Sequence, residues 1–253
     1  MYPHSFLWHY LWLAPHALQI LVVVAMIRRR LVREFPIFLV YTVLQMTQEG
    51  ILFVLDHSSA VSPEQYWHAH WAGMIVSIVI RSAVIYEISS HVFRPYPAIG
   101  ELGRIAFRWA AVVLLLVAVA IAAYAPGDNS ARIFSYVYVV NRAVNLVQCG
   151  LLFFLFLFSS YFGLTWRNYV FGIAVGLGIY SSVELAAAAI QVQTWPAPGS
   201  YVLDFVTMAT YHCCVLIWLA YFLAPEPAPH TVKELPRSDL EKWNAELQRL
   251  LLQ

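Results

Sequence analysis

Residues 6–33, FLWHYLWLAPHALQILVVVAMIRRRLVR, place a long and largely apolar run directly before four arginines. About 20 apolar residues are enough for an α-helix to cross the hydrocarbon core of a bilayer. Arginine and lysine accumulate on the cytoplasmic side of such helices. This stretch therefore predicts a first transmembrane helix that enters the membrane from outside.

The rest of the chain repeats the same pattern. Of its 253 residues, 61% are hydrophobic and 11% are charged, against about 25% charged in an ordinary soluble domain. The formal net charge of +1 does not suggest a nucleic-acid partner. We predict an all-α, polytopic bundle of seven transmembrane helices within residues 1–224, with spans at roughly 6–27, 35–55, 67–91, 106–124, 133–160, 169–192 and 201–223.

The basic residues between these spans predict the orientation. The loops on one side hold only Arg132. The loops on the other side, together with the tail, hold Arg28, Arg29, Arg30, Arg33, Arg94, Arg104, Arg108, Arg167, Lys233, Arg237, Lys242 and Arg249. The positive-inside rule then puts the N-terminus outside and the C-terminus in the cytoplasm. The expected location is a bacterial inner membrane.

Two short segments follow the last span. Residues 225–237 are a proline-rich linker, and residues 238–253, SDLEKWNAELQRLLLQ, begin with an N-cap serine and carry apolar residues at helical spacing. We predict an amphipathic cytoplasmic helix. It either lies on the membrane surface or docks a cytoplasmic partner or a second copy of the chain.

A polar stripe interrupts the fifth span. Residues 137–150 read VYVVNRAVNLVQCG, and on a helix the polar side chains fall within one arc. Other spans carry similar polar faces. The residues that we predict to contact a ligand are Arg142, Glu184, Glu49, Arg81, Asn141, Asn145, Gln148, Gln45, Tyr138, Ser181, Asp204, Tyr211, His16 and His212.

Buried charges in a membrane need partners. We expect Arg142 to pair with Glu184 and Arg81 with Glu49. Two interpretations of the polar faces stay open: a polar core that sets helix register, or an outward-facing hydrated pocket for a small ligand. A proton or ion path is a third. Near the cytoplasmic end of the third span, Glu87 and His91 lie one turn apart and predict a local pair.

Three functions fit these features. The first is a receptor or sensory module that binds a small ligand from outside and signals to a separate cytoplasmic protein. The second is a small solute transporter, in which Glu49 or Glu184 couples uptake to protons and three-helix segments repeat in parallel. The third is a redox subunit that holds a haem between His16 and His212.

Other chemistry has less support in the sequence. The only lysines, Lys233 and Lys242, lie in the tail, which excludes a retinal Schiff base. No HExxH or GxSxG motif occurs, so we predict no enzyme, and we predict no metal site or other cofactor. Gly172 and Gly176 form a GxxxG motif, which predicts close helix packing.

Overall fold

The structure is a computed structural model. It describes residues 5–58, 60–92, 139–150, 168–194 and 200–224, the isolated residues Ile105 and Phe153, and six positions between 241 and 249. Within these residues every regular element is helical.

Five of the helices are long and apolar enough to cross a membrane, which indicates an integral membrane protein. They are α1 (Phe6–Arg28), α2 (Pro36–His57), α3 (Pro63–Val92), α4 (Tyr169–Thr194) and α5 (Ser200–Leu223), and a short 3₁₀ helix (Leu31–Arg33) joins α1 to α2. They match the predicted first, second, third, sixth and seventh spans. The predicted fifth span is described only over 139–150 and at Phe153, all of them helical. The predicted fourth span at 106–124 lies outside the described residues, as do the linker and most of the tail.

Helix α3 begins four residues before its predicted start. The predicted spans of 35–55 and 67–91 leave residues 58–65 in the connection between two helices. Instead, Ser62 Oγ accepts a hydrogen bond from Gln65 N at 3.2 Å, and Gln65 Oε1 accepts one from Ser62 N at 3.0 Å. This reciprocal pair is a capping box, and Pro63 occupies the first helical position, where its missing N–H costs nothing.

The helices form a closed bundle. Around it, α2 lies between α1 and α3, α5 lies between α1 and α4, and the 139–150 segment packs against α3 and α4. The main core is formed by all five long helices and contains Phe38, Tyr41, Trp218 and Phe222. We call the end where α1 finishes and α2 begins the arginine end, and the opposite end the cleft end.

Arg29 ties three helices together at the arginine end. Its Nη1 donates to the hydroxyl of Tyr169 at 2.9 Å and to the carbonyl of Ala224 at 2.7 Å, and its Nη2 donates to the carbonyl of Leu223. These carbonyls close the C-terminus of α5, where a cation is favourable. The arginine after the first span therefore has a structural role besides setting orientation.

Glu87 binds the N-terminus of α2 at the same end of the bundle, in addition to its predicted local contact with His91. Its two carboxylate oxygens accept from Ile37 N at 2.8 Å and Phe38 N at 2.9 Å. Pro36 has no N–H, so Glu87 satisfies the first free donors of α2. The local contact with His91 uses the backbone of Glu87: His91 Nδ1 bonds to the Glu87 carbonyl at 3.0 Å, and the His91 ring stacks on Phe35.

We expect Glu87→Ala to lower the free energy of unfolding by about 1–3 kcal/mol, because two backbone donors lose their acceptor. Glu87→Gln keeps one carbonyl acceptor and should cost less. The melting temperature in detergent measures both effects. Glu34→Gln is the matched control, because Glu34 is an exposed acid just before the same helix. An equal loss in the control would contradict the capping role.

Candidate functional site

The 139–150 segment directs a regular row of amides into the bundle. Asn141, Asn145 and Gln148 are buried, at 5%, 1% and 3% exposure. Their spacing of four and three residues follows one helical face. Arg142 is only one residue from Asn141, but one residue turns the helix by about 100°, and Arg142 is exposed.

Arg81 of α3 reaches this row and forms the centre of a buried polar network. Its Nη1 donates to Asn145 Oδ1 at 2.9 Å, and its Nη2 donates to Asn141 Oδ1. Nη1 also lies 3.4 Å from Glu184 Oε2, which forms an ion pair. Arg81 is 4% exposed, so these partners replace the water that a guanidinium would otherwise bind.

Two side chains of α4 complete the network. Glu184 accepts from Asn141 Nδ2 through its other oxygen at 2.7 Å. Ser181 donates to Gln148 Oε1 and lies 3.4 Å from Asn145 Oδ1. The network therefore joins α3, the 139–150 segment and α4 through side-chain hydrogen bonds. This geometry can set helix register.

The two predicted ion pairs are wrong. Arg81 pairs with Glu184, whereas Glu49 accepts a hydrogen bond from Trp12. Arg142 instead lies 3.5 Å from the carbonyl of Ala188. The presence of charges in neighbouring spans does not by itself choose their partners. The side chain of Arg81 reaches Glu184, and Arg142 faces away from the buried row.

A second site lies nearer the cleft end and consists of two adjacent cavities. The deep cavity has a volume of about 120 Å³ and is lined by Leu11, Trp12, Pro15, His16, Gln45, Glu49, Tyr180, Thr207, Met208 and Tyr211. The mouth cavity has a volume of about 160 Å³ and is lined by Trp8, Trp12, Glu49, Leu52, Tyr66, His70, Asp204 and Met208. Because they share Trp12, Glu49 and Met208, we treat them together as the cleft.

The lining of the cleft is held by specific hydrogen bonds. Trp12 Nε1 donates to Glu49 Oε2 at 3.0 Å and so positions the carboxylate. His16 Nδ1 lies 2.7 Å from Gln19 Oε1, and Gln19 Nε2 donates to the Tyr211 hydroxyl at 2.6 Å. Gln19 has no exposed surface. A buried amide thus links the wall formed by α1 to the wall formed by α5.

Tyr180 connects the cleft to the polar network. It lines the deep cavity, and its ring lies 5.3 Å from that of Tyr211. Glu184 lies four residues later on the same helix, which places the two side chains on one face. The network therefore lies beside the deep cavity, on the α4 side of the cleft.

The structure divides the predicted ligand set into three groups. The buried network contains Arg81, Asn141, Asn145, Gln148, Ser181 and Glu184. The cleft is lined by His16, Gln45, Glu49, Asp204 and Tyr211. Arg142 and His212 belong to neither group, and Tyr138 lies outside the described residues.

The two histidines of the predicted haem site lie in different surroundings. His16 lines the deep cavity and packs against Tyr211, with ring centroids 5.8 Å apart. His212 packs its ring against Tyr10, with centroids 5.7 Å apart. Among the described residues, no group of three or more His, Cys, Asp or Glu side chains could hold a metal ion.

The sequence interpretation missed several residues of the cleft. Trp12, His16 and Gln19 are spaced four and three residues apart in the first span, which is a one-face pattern. The predicted ligand set contained His16 but neither Trp12 nor Gln19. Tyr66 lies just before residue 67, where the third span was predicted to begin.

Comparison with known proteins adds no assignment: no family model, curated protein or solved structure matches this chain.

Proposed function

We propose that this protein is an integral membrane receptor that binds a small ligand in the cleft and signals to a separate cytoplasmic partner. The main support for this proposal is the cleft. It places Glu49, His16 and Gln45 in a recess between helices, where apolar and aromatic side chains surround a few polar groups. Ligand sites in proteins have this composition. The cavity volumes leave room for several waters, each needing about 30 Å³ in the liquid, or for a small molecule.

The basic residues support the orientation in this proposal. Arg28, Arg29, Arg30 and Arg33 lie at the arginine end. By the positive-inside rule this end faces the cytoplasm of a bacterial cell and the cleft faces outside. The C-terminal segment 238–253 is then available to a cytoplasmic protein.

The two ends of the bundle are packed differently, which suits a receptor. At the arginine end, Arg29 and Glu87 fasten helix termini directly to one another. At the cleft end, the walls meet around cavities. A ligand can shift the bundle only if it binds one helix arrangement more tightly than another. The cleft is where such a difference would arise, because its walls belong to five helices.

Access to the cleft can be tested with Met208→Cys in right-side-out membrane vesicles. The reagents are two membrane-impermeant methanethiosulfonates, one with a trimethylammonium group and one with a sulfonate. Met208 lines both cavities, so we expect at least one reagent to modify the new thiol from outside. Modification is read by mass spectrometry.

The wild-type chain controls for its own thiols, Cys149, Cys213 and Cys214. Val215→Cys is the matched buried control, because Val215 lies two turns further along α5 and has no exposed surface. Reaction at position 208 no faster than at position 215 would contradict an open cleft. Reaction only in inverted vesicles would show that the cleft opens to the cytoplasm, opposite to the proposed orientation.

A transporter is the second candidate, and one observation favours it. The ion pair of Arg81 with Glu184 joins α3 to α4 beside Tyr180 of the deep cavity, so breaking it would let these two helices separate next to a bound solute. Uptake of a solute that binds the cleft, measured in proteoliposomes, separates the candidates. Accumulation that is lost in Glu184→Gln would support transport, and binding without accumulation would support the receptor.

A further inference from the structure

The cleft contains two acidic side chains, which raises the question of what neutralises them. Glu49 lines both cavities and Asp204 lines the mouth cavity. Both side chains are half-buried. A carboxylate inside a membrane bundle needs a proton or a cation near it.

No arginine or lysine of the described chain supplies that cation. Among the described residues, the ion pairs are Arg81 with Glu184 and Asp56 with His57. Arg81 is also held by the amides of the 139–150 segment. The arginines after α1 lie at the opposite end of the bundle, and no described arginine or lysine lines either cavity.

The rest of the lining is rich in aromatic rings. Trp8, Trp12 and Tyr66 line the mouth cavity, while Trp12, Tyr180 and Tyr211 line the deep cavity. The faces of these rings are electron-rich and attract cations, most strongly in the case of tryptophan. The thioether of Met208, which lines both cavities, adds a soft and polarisable contact.

Carboxylates beside aromatic rings favour one kind of ligand. An anion would meet two acids with no arginine or lysine among the described lining residues. A neutral molecule would leave the carboxylates uncompensated. An organic ammonium ion satisfies both parts of the lining, because its charge meets the carboxylates and its carbon groups meet the rings.

We infer that the cleft binds a small organic cation, a protonated or quaternary amine whose charged head lies near Glu49 and Asp204. This inference rests on the proposed ligand-binding function and names the chemical class of the ligand. Trp12 acts as a positioning residue, because its indole N–H fixes one oxygen of Glu49. His16 lines the deep cavity and His70 lines the mouth cavity, so both imidazoles lie near the proposed ligand.

The test compares charged probes with neutral molecules of the same shape. The probes are choline and phenethylammonium, and their neutral counterparts are dimethylbutanol and phenylethanol. Binding to the full-length protein in lipid nanodiscs is measured by tryptophan fluorescence and by calorimetry. We expect at least one cation to bind about tenfold or more tightly than its counterpart, as expected for contacts between a charge and its hydrogen-bonding partner.

Glu49→Gln and Asp204→Asn show whether the acids cause this preference. We expect each variant to lower the affinity for the cation and to leave the affinity for the neutral counterpart unchanged. Glu64→Gln is the control, since Glu64 is an exposed acid in the first turn of α3. In Met208→Cys, the trimethylammonium reagent should react faster than the sulfonate reagent.

Three results would overturn the inference. Equal affinity for a cation and its neutral counterpart would show that the charge of the ligand does not contribute to binding in the cleft. No saturable binding by either cation would mean that a proton neutralises the acids. Faster reaction of the sulfonate reagent would indicate an anion site. An open cleft is still supported after any of these results if position 208 is modified from outside, so failure of this inference differs from failure of the proposed function.

Discussion

Arg81→Ala is expected to abolish a stable bundle. The side chain is buried and bonded to Asn141, Asn145 and Glu184. Its removal leaves the Glu184 carboxylate without a cation and takes one donor from the amide oxygens of Asn141 and Asn145. Breaking a buried ion pair by removing one partner costs about 3–5 kcal/mol, and membrane burial gives the orphaned carboxylate little water to bind. The loss of stability is measured as a loss of monodisperse protein after detergent extraction or as a large fall in melting temperature.

Arg142→Ala is the matched control for this experiment. It removes the same side chain from an exposed position, where the contact is a single 3.5 Å approach to the carbonyl of Ala188. Its effect should stay within about 0.5 kcal/mol, as for other surface substitutions. Similar losses in Arg81→Ala and Arg142→Ala would contradict the assignment of Arg81 as the centre of the network.

A double variant separates the ion pair from general packing. In Arg81→Met combined with Glu184→Gln, no charge is left unpaired and the long side chain is kept. We expect this variant to be more stable than Arg81→Ala, because replacing both partners avoids the penalty of an orphaned ion. No recovery would show that the hydrogen bonds to the two asparagines matter more than the ion pair.

Gly176→Val is expected to disrupt the packing of α4 on α5. A Cβ at this position would overlap the indole of Trp218. Trp218 has no exposed surface, packs against the rings of Phe38 and Tyr41, and donates through Nε1 to the carbonyl of Ile173 at 3.4 Å. It cannot move without displacing this core. Overpacking of this kind costs about 1–3 kcal/mol.

Gly50→Ala is the control for the glycine substitution. A Cβ at Gly50 would meet nothing within 4 Å. Because alanine favours a helix over glycine by up to about 1 kcal/mol, this change should leave the melting temperature unchanged or raise it. If Gly176→Val were tolerated equally well, the close contact of α4 with α5 would be absent.

The GxxxG motif shows what a local pattern can predict. The pattern predicted a close-packed face, and a Cβ at either Gly172 or Gly176 would overlap an aromatic ring of α5. The prediction did not identify the partner. A glycine pattern predicts that another helix packs closely, but it does not identify the large side chain that fills the space. That side chain lies about 40 positions away in the sequence.

The predicted ligand residues show even more clearly that a local pattern does not identify contacts between helices. All its members are visible as polar residues in apolar spans, and the sequence interpretation joined them into one shared site. The structure separates them into a closed network around Arg81 and an open cleft around Glu49. What decides the division is the rotation of each helix about its axis. One residue of rotation exchanges Asn141 for Arg142 on the inner face.

The sequence by itself determined that this chain forms long apolar helices. Its hydropathy indicates a membrane as their surroundings, because length and apolarity are local properties of each segment. It also determined where most described helices end, through Pro36, Arg28 and similar local signals. Only the tertiary structure decided which buried charges meet and where the bundle leaves a cleft. Those outcomes depend on helix rotation, on side-chain reach and on neighbours that are distant in the sequence.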